Sequence, residues 1–331
     1  MTFLNPTKMN RKTFLTQLSY AGVGVSTLGL VSCKNKPAEK AMEAPALFFK
    51  LSLAQWSIHR SIREQGVSPY DFAKLAKGWG FEGLEYVNQL YTDVTQSDQP
   101  EAAMQNFITR SNEEAAKYGL QNLLIMIDSE GDLSTSDEEK RNQAIENHKK
   151  WIEAAHAMNC HSVRLNLYGE SDPEKWKQNS IASLRTLATF AQPLNINIIV
   201  ENHGSLTSKA DLLMEAINGT EMENCGTLPD FGNFCVKRSS GGPWDGSCQE
   251  EYDRYKGTAE MMPKAFGVSA KSHDFDAEGN ETNTDYVQML NIVKSAGYNG
   301  YIGVEYEGDT LSEEEGIKAT RDLLLKVGAQ I

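Results

Sequence analysis

The chain has 331 residues and carries 32 Lys and Arg against 45 Asp and Glu, a net charge of −13. The first 32 residues hold three of those cations and no acid, so the remainder is net −16. An acidic body of this kind lacks the basic face that a phosphate backbone requires, which argues against a nucleic-acid partner.

In chain order, the N-terminus reads first as an export signal. Arg11 and Lys12 precede an apolar or small stretch over 14–31, and Leu30-Val31-Ser32-Cys33 closes it. The stretch is short and ends at a processing-type sequence, the pattern of a bacterial signal peptide rather than of a membrane span. LVSC resembles a lipobox, which implies a lipid anchor on Cys33. Asn10-Arg11-Lys12-Thr13-Phe14-Leu15 resembles a twin-arginine signal with Lys12 in place of the second arginine. The expected organisation is a signal over 1–33, a polar tether over 34–46 and one domain over 47–331 of an exported, periplasmic protein. Export permits disulfides. Cys235 and Cys248 lie in one stretch, either bridged or as free thiols like Cys160 and Cys225.

Runs rich in β-branched residues then alternate with stretches of helical periodicity. Strands are expected near 50–57, 83–87, 122–127, 162–167, 197–200, 226–228, 267–271 and 301–304. Helices are expected over 69–78, 101–118, 138–158, 173–191, 208–217, 249–262, 285–296 and 313–326. Start signals such as Ser68-Pro69 and Asp172-Pro173, and glycines such as Gly119 at helix ends, punctuate the pattern. Eight alternating units imply a parallel sheet, and their number favours closure into a (β/α)8 TIM barrel. Neither GxGxxG after the first strand nor GxxxxGK[ST] occurs, so nucleotide-binding folds lose support. The longest non-helical stretch, 231–247, is expected to be a loop over the active face.

Four strand-end segments, NINIIVENHG (195–204), CGTLPDFGNF (225–234), GVSAKSHDF (267–275) and YIGVEYEGD (301–309), carry Glu201, Asp230, His273 and Glu305. These are spaced by 29, 43 and 32 residues, about one strand–helix unit each. A barrel would bring them to one mouth, where three carboxylates and an imidazole suit a divalent cation, Mn²⁺ foremost, with Mg²⁺, Zn²⁺ or Co²⁺ as alternatives. Strand parity aligns His203 with Glu201, Lys271 with His273, Asn166 with Arg164, and Gln55 and Ser57 with His59. Lys271 therefore competes with His273 for the inward position on the seventh strand. Trp56, Tyr86, Tyr91, Phe231 and Trp244 are candidates for aromatic walls of the mouth, Trp56 equally for the core.

Trp56-Ser57, the run Gly80-Phe81-Glu82-Gly83-Leu84-Glu85 and the ordered Glu/Asp/His/Glu set together resemble the xylose-isomerase-like barrels of the sugar phosphate isomerase/epimerase superfamily, over about 51–327. The resemblance implies that Glu201 and Glu305 bind the metal and move the substrate proton, with Asp230 as a further ligand. His59, Glu85, Arg164, Asn166, His203, Asn233 and Lys271 are the expected substrate contacts. Asn233 stands where epimerases of the family often have a histidine. Lys271-Ser272-His273-Asp274 departs from their His-x-Lys-Asp, and in one alignment Lys271 replaces the metal histidine.

The chemistry implied is proton abstraction beside a carbonyl of a small carbohydrate, with metal assistance. Return of the proton gives epimerisation or aldose–ketose isomerisation. Expulsion of a β-oxygen would instead make the protein a dehydratase or a lyase of 3-keto-glycosides. A third reading is a non-catalytic sugar-binding lipoprotein on the same scaffold. No nucleic acid is expected as a partner, and the membrane only through the N-terminal anchor.

Overall fold

The computed structural model describes residues 47–331, so the expected signal, tether and anchor at Cys33 lie outside the described residues. Ten strands are present among those residues: β1 Lys50–Ala54, β2 Gly83–Val87, β3 Gln121–Met126, β4 Ser162–Leu165, β5 Asn197–Glu201, β6 Cys225–Leu228, β7 Cys235–Arg238, β8 Cys248–Glu251, β9 Val268–Ser272 and β10 Tyr301–Tyr306. Eight of them pair in the order β6-β5-β4-β3-β2-β1-β10-β9, every neighbour parallel, and β7 and β8 form a separate antiparallel hairpin. Parallel bridges Thr227–Ala265 and Asp230–Ser269 join the two ends of the large sheet and close it into a (β/α)8 barrel. Three hydrogen bonds carry this seam, Ser269 N to Pro229 O at 2.8 Å, Phe231 N to Ser269 O at 3.0 Å and Phe266 N to Thr227 O at 3.1 Å.

The helices are α1 His59–Glu64, α2 Phe72–Gly78, α3 Thr92–Thr95, α4 Pro100–Tyr118, α5 Glu138–Ala157, α6 Pro173–Ala191, α7 Ala210–Gly219, α8 Arg254–Met261, α9 Tyr286–Ser295 and α10 Glu313–Gly328. Their starts follow from the sequence. Asp137, Asp172, Asp253 and Asp285 each accept a backbone N–H of the first turn, and Pro100 and Pro173 occupy first-turn positions that need no donor. Ser312 and Glu315 form a reciprocal capping box on α10. Gly119, at φ +65°, ends α4 in the left-handed conformation.

Side chains alternate along each strand. Val163, Leu165, Val200, Ala270 and Val304 are fully buried in the core shared with the helices, while Arg164, Glu201, Lys271 and Glu305 meet one another inside the barrel. Two expectations fail here. Residues 248–251 do not open a helix but form β8, because Cys248 is bridged to Cys235 and the segment pairs with β7. The extended chain of the first strand stops at Ala54 and turns into a 3-10 helix, Gln55–Ile58, so Gln55, Ser57 and His59 do not share one face.

Candidate active site and metal centre

Glu201 ends β5, Asp230 follows β6 and Glu305 lies in β10. One carboxylate oxygen of each falls within 4.8 Å of the others, and all three side chains are buried. Bringing them together is costly: burial pushes all three carboxyls above their ordinary range. The local hydrogen bonds hold the oxygens in place. Gly232 N and Asn233 N each donate to Asp230 Oδ1 at 2.8 Å. Ser269 Oγ lies 2.6 Å from Asp230 Oδ2 and 3.0 Å from Glu305 Oε2. Asn233 Nδ2 donates to Glu201 Oε1 at 3.1 Å.

His273 does not join these carboxylates. Residue 273 lies just beyond β9, partly exposed in the cavity wall, whereas Lys271 pairs in register with Glu305 and points inward. The Lys271 ammonium lies 3.2 Å from Glu305 Oε1 and 3.1 Å from Glu307 Oε1. Burial alone would favour its neutral form, but the carboxylates of Glu305 and Glu307 more than offset this and keep it charged. A lysine thus stands where the fourth protein ligand was expected. Its field reaches Glu307, whose partly buried carboxyl is held below the ordinary range by the Lys271 ammonium.

A second charged group faces the first. Arg164 Nη1 donates to Asp128 Oδ1 at 2.7 Å, and its Nε lies 3.0 Å from Glu201 Oε2 without the alignment of a hydrogen bond. Asn166 Nδ2 donates to the same Asp128 oxygen at 2.5 Å. Burial would raise the Asp128 carboxyl, but Arg164 and its hydrogen-bond donors hold it at about 2, so it is ionised. Asp128 was not singled out in the sequence, although it follows the apolar run Leu123-Leu124-Ile125-Met126-Ile127 much as Glu201 follows its own strand.

His203 completes this wall. Its Nδ1 lies 2.7 Å from Asn166 Oδ1, and Tyr168 Oη donates to its carbonyl at 2.6 Å. Burial and the nearby Arg164 push the imidazole down to about 3, so it is neutral. With Nδ1–H given to Asn166, Nε2 is an acceptor.

Other expected contacts lie elsewhere. Glu85 does not line the cavity; it is buried inside the barrel against Gly303 and accepts from Ser52 Oγ at 2.6 Å. Burial pushes it up to about 7, and Oε2 has no partner among the described residues. His59 opens α1 at the cavity mouth, stacked on Trp56 at 4.3 Å. Tyr86, Tyr91 and Phe231 belong to the core and form no wall. Beside the carboxylates opens a cavity of about 1020 Å³, lined by His59, Arg164, Asn166, His203, Asn233 and Glu305 among others, with Trp56 and Trp244 at its sides; Glu201, Asp230 and Lys271 lie behind this wall.

The carboxylate trio fits a divalent cation. Glu201 Oε2 is buried with no hydrogen-bond partner among the described residues. Two cations, Arg164 and Lys271, face the five carboxyls of Glu201, Asp230, Glu305, Glu307 and Asp128. The oxygen-only donor set suits a hard or borderline ion.

Solved structures share this architecture. An L-ribulose 3-epimerase superposes with a TM-score of 0.64 at 16% identity, covering 85% of this chain and 95% of that one. The IolI protein, solved with a bound zinc atom, superposes with a TM-score of 0.62 at 16% identity over 85% of this chain and 99% of its own. A curated relative, the C-glycoside deglycosidase alpha subunit of Arthrobacter globiformis, is 35% identical over 54 residues. The chain spans only 15% of that relative's length, and the match takes in 16% of this one. A family model, xylose isomerase-like TIM barrel, matches residues 73–327. With that match over most of the barrel, the chain belongs to the xylose isomerase-like TIM barrel family.

Proposed function

We propose that the protein is a metal-assisted isomerase or epimerase that moves a proton beside the carbonyl of an uncharged carbohydrate. The observation that carries this reading is the convergence of Glu201, Asp230 and Glu305 within 4.8 Å beside an open cavity. These three residues would hold the ion, with Mn²⁺ as the first choice. A bound divalent cation supplies Lewis acidity to a substrate carbonyl. Glu201, buried beside the cavity, is the base for the carbon-bound proton. Asn233 and Arg164 fix the orientation of that carboxylate. Glu305, on the neighbouring side of the cluster, returns a proton. Lys271 supplies positive charge where the substrate oxygen becomes negative. His203 Nε2 and Asn233 offer contacts to hydroxyl groups.

The lining supports an uncharged substrate. Among the described residues each arginine at the cavity is already engaged: Arg60 by Asp309 and the Gly308 carbonyl, Arg164 by Asp128 and Glu201, and Arg238 by the carbonyls of Pro243 and Gly246. A phosphate would meet carboxylates without a spare cation. The fold shared with a sugar 3-epimerase and with a zinc-binding barrel supports the same reaction class.

A second reading, elimination from an oxidised glycoside, draws on the short match to a C-glycoside deglycosidase subunit. The two differ after the same first step, since the carbanion expels the β-substituent, a glycosidic oxygen or, in a C-glycoside, the aglycone carbon, which takes up a proton, instead of being reprotonated itself. We further place the protein outside the cytoplasm, anchored through Cys33. The Cys235–Cys248 disulfide supports an oxidising compartment, and failure of the cells' membrane fraction to retain the wild-type chain, with no change on Cys33→Ser, would remove the anchor.

The test is deuterium uptake from D₂O into a panel of free sugars and 3-keto-glycosides with Mn²⁺ present. Exchange beside a carbonyl that falls about 10²–10⁴-fold in Glu201→Gln is the expected result. Release of an aglycone would select elimination. No exchange and no product from metal-loaded protein would overturn the catalytic reading.

A further inference from the structure

Among the described residues only two large apolar side chains are well exposed, Val287 and Trp244, the latter 43% exposed. Trp244 sits at the tip of the β7–β8 hairpin, and several contacts hold that tip in place. Cys235–Cys248 ties its two strands. Arg238 donates from Nε to Pro243 O and from Nη1 to Gly246 O, each at 3.0 Å, bracing the chain on both sides of the tryptophan. Ser239 N donates to Ser247 O at 3.0 Å. Pro243 and Trp244 pack on Gly204, at φ +80°, where a Cβ would lie 3.1 Å from Pro243 O. An indole this firmly braced yet left open to water is poorly explained by packing.

Trp244 also borders the site. Its ring lies 4.4 Å from that of His203. His203 contacts Asn166 at 2.7 Å, Asn166 contacts Arg164 at 3.2 Å, and Arg164 reaches Glu201 at 3.0 Å. Three side chains, His203, Asn166 and Arg164, thus link the indole to Glu201. Across the mouth, Trp56 is less available, since His59 and the Arg63 guanidinium already stack on it at 4.3 and 4.7 Å. The cavity, about 1020 Å³, lies at the top of the range of roughly 300–1,000 Å³ that buries a drug-sized ligand. A single sugar ring leaves much of that space empty.

We propose that Trp244 is the platform of an outer subsite that stacks the second ring of an uncharged glycoside while its first ring reaches Glu201 and Glu305. This deepens the carbohydrate reading given above and rests on it for the inner ring. The apolar face of a pyranose and an aromatic aglycone present the same chemistry to an indole, and the choice of probe separates them.

The test is binding, read by calorimetry and by tryptophan fluorescence, on the full folded domain with Mn²⁺. The probes are glucose, cellobiose, maltose, lactose and the α- and β-p-nitrophenyl glucosides. At least one two-ring probe should bind more tightly than glucose. Trp244→Ala should weaken that probe about three- to tenfold, the range expected of an aromatic stack, and leave glucose unchanged, while Trp244→Phe keeps most of the affinity. A loss with cellobiose or maltose points to an outer sugar, and one confined to the nitrophenyl glucosides to an aryl aglycone. No preference for any two-ring probe, or an equal loss for glucose, overturns the subsite. Binding needs no turnover, so a Trp244-dependent preference in a protein that exchanges no deuterium would retain the subsite and remove the enzyme.

Discussion

Removing the buried charge of Lys271 separates its structural role from its effect on the cation site. The ammonium is enclosed, 3.2 Å from buried Glu305 and 3.1 Å from Glu307, whose side chain is 27% exposed. Lys271→Met keeps the volume and deletes the charge. Stranding one partner of a buried pair costs about 3–5 kcal/mol, and a domain of this size loses about 2 °C of Tm per kcal/mol. In chelator the variant should therefore melt roughly 6–10 °C below wild type. Unit charges about 4 Å apart at an effective dielectric near 20 interact by about 4 kcal/mol. Even a third of that, released when the competing ammonium is gone, strengthens Mn²⁺ binding about tenfold. Differential scanning calorimetry with and without Mn²⁺, together with a calorimetric titration, reads both effects. The variant should recover most of its lost Tm when the ion is added, whereas Lys271→Arg should resemble wild type in chelator. Wild-type melting of Lys271→Met in chelator, or unchanged Mn²⁺ affinity, would refute the balance of charges described here.

Three other outcomes follow from the same geometry. Glu85, pushed by burial up to about 7 from an ordinary 4.5, holds its proton more tightly in the folded chain than in the unfolded one. Its raised pKa makes stability fall as pH rises from about 4.5 to about 7, by about 3 kcal/mol in total; Glu85→Gln should flatten that slope in a series of Tm measurements. Gly303→Ala sets a methyl group against the Glu85 carboxylate and should cost about 1–3 kcal/mol, read as a lower urea midpoint with the same slope. Asp128→Asn removes the charge that Arg164 shares with Glu201; the exchange rate should drop about tenfold or more while the circular dichroism spectrum is unchanged, and a full rate would dissociate Asp128 from the site.

The barrel was legible because each strand-end carboxylate follows an apolar run, and the units recur at nearly constant spacing. The same signal stands at Asp128 after β3. Parity worked where the strand continues to the residue in question, as at Glu201 and Glu305. It failed at His59, because the first strand gives way to a 3-10 turn after Ala54. The choice between Lys271 and His273 could not be made by counting along one strand. It is decided by register, which sets Lys271 beside Glu305. Glu85 has the residue type of a substrate contact, but its depth in the barrel depends on the absence of a side chain at Gly303. The hairpin was hidden because Cys248-Gln249-Glu250-Glu251 has no apolar alternation, its strand being exposed throughout.

The hairpin leaves and rejoins the barrel at almost one point, since Tyr252 N donates to Phe234 O at 2.9 Å. Residues 235–251 thus behave as a cassette with a clasp at its base, carrying its own disulfide and its own exposed ring. Lengthening, shortening or exchanging such an insert alters loop entropy only slightly and leaves the β5, β6 and β10 carboxylates where they are. On the proposed subsite, the outer contact to a ligand and the carboxylate cluster lie in separable pieces of the chain, so that a lineage, or an engineer, can revise the first without rebuilding the second.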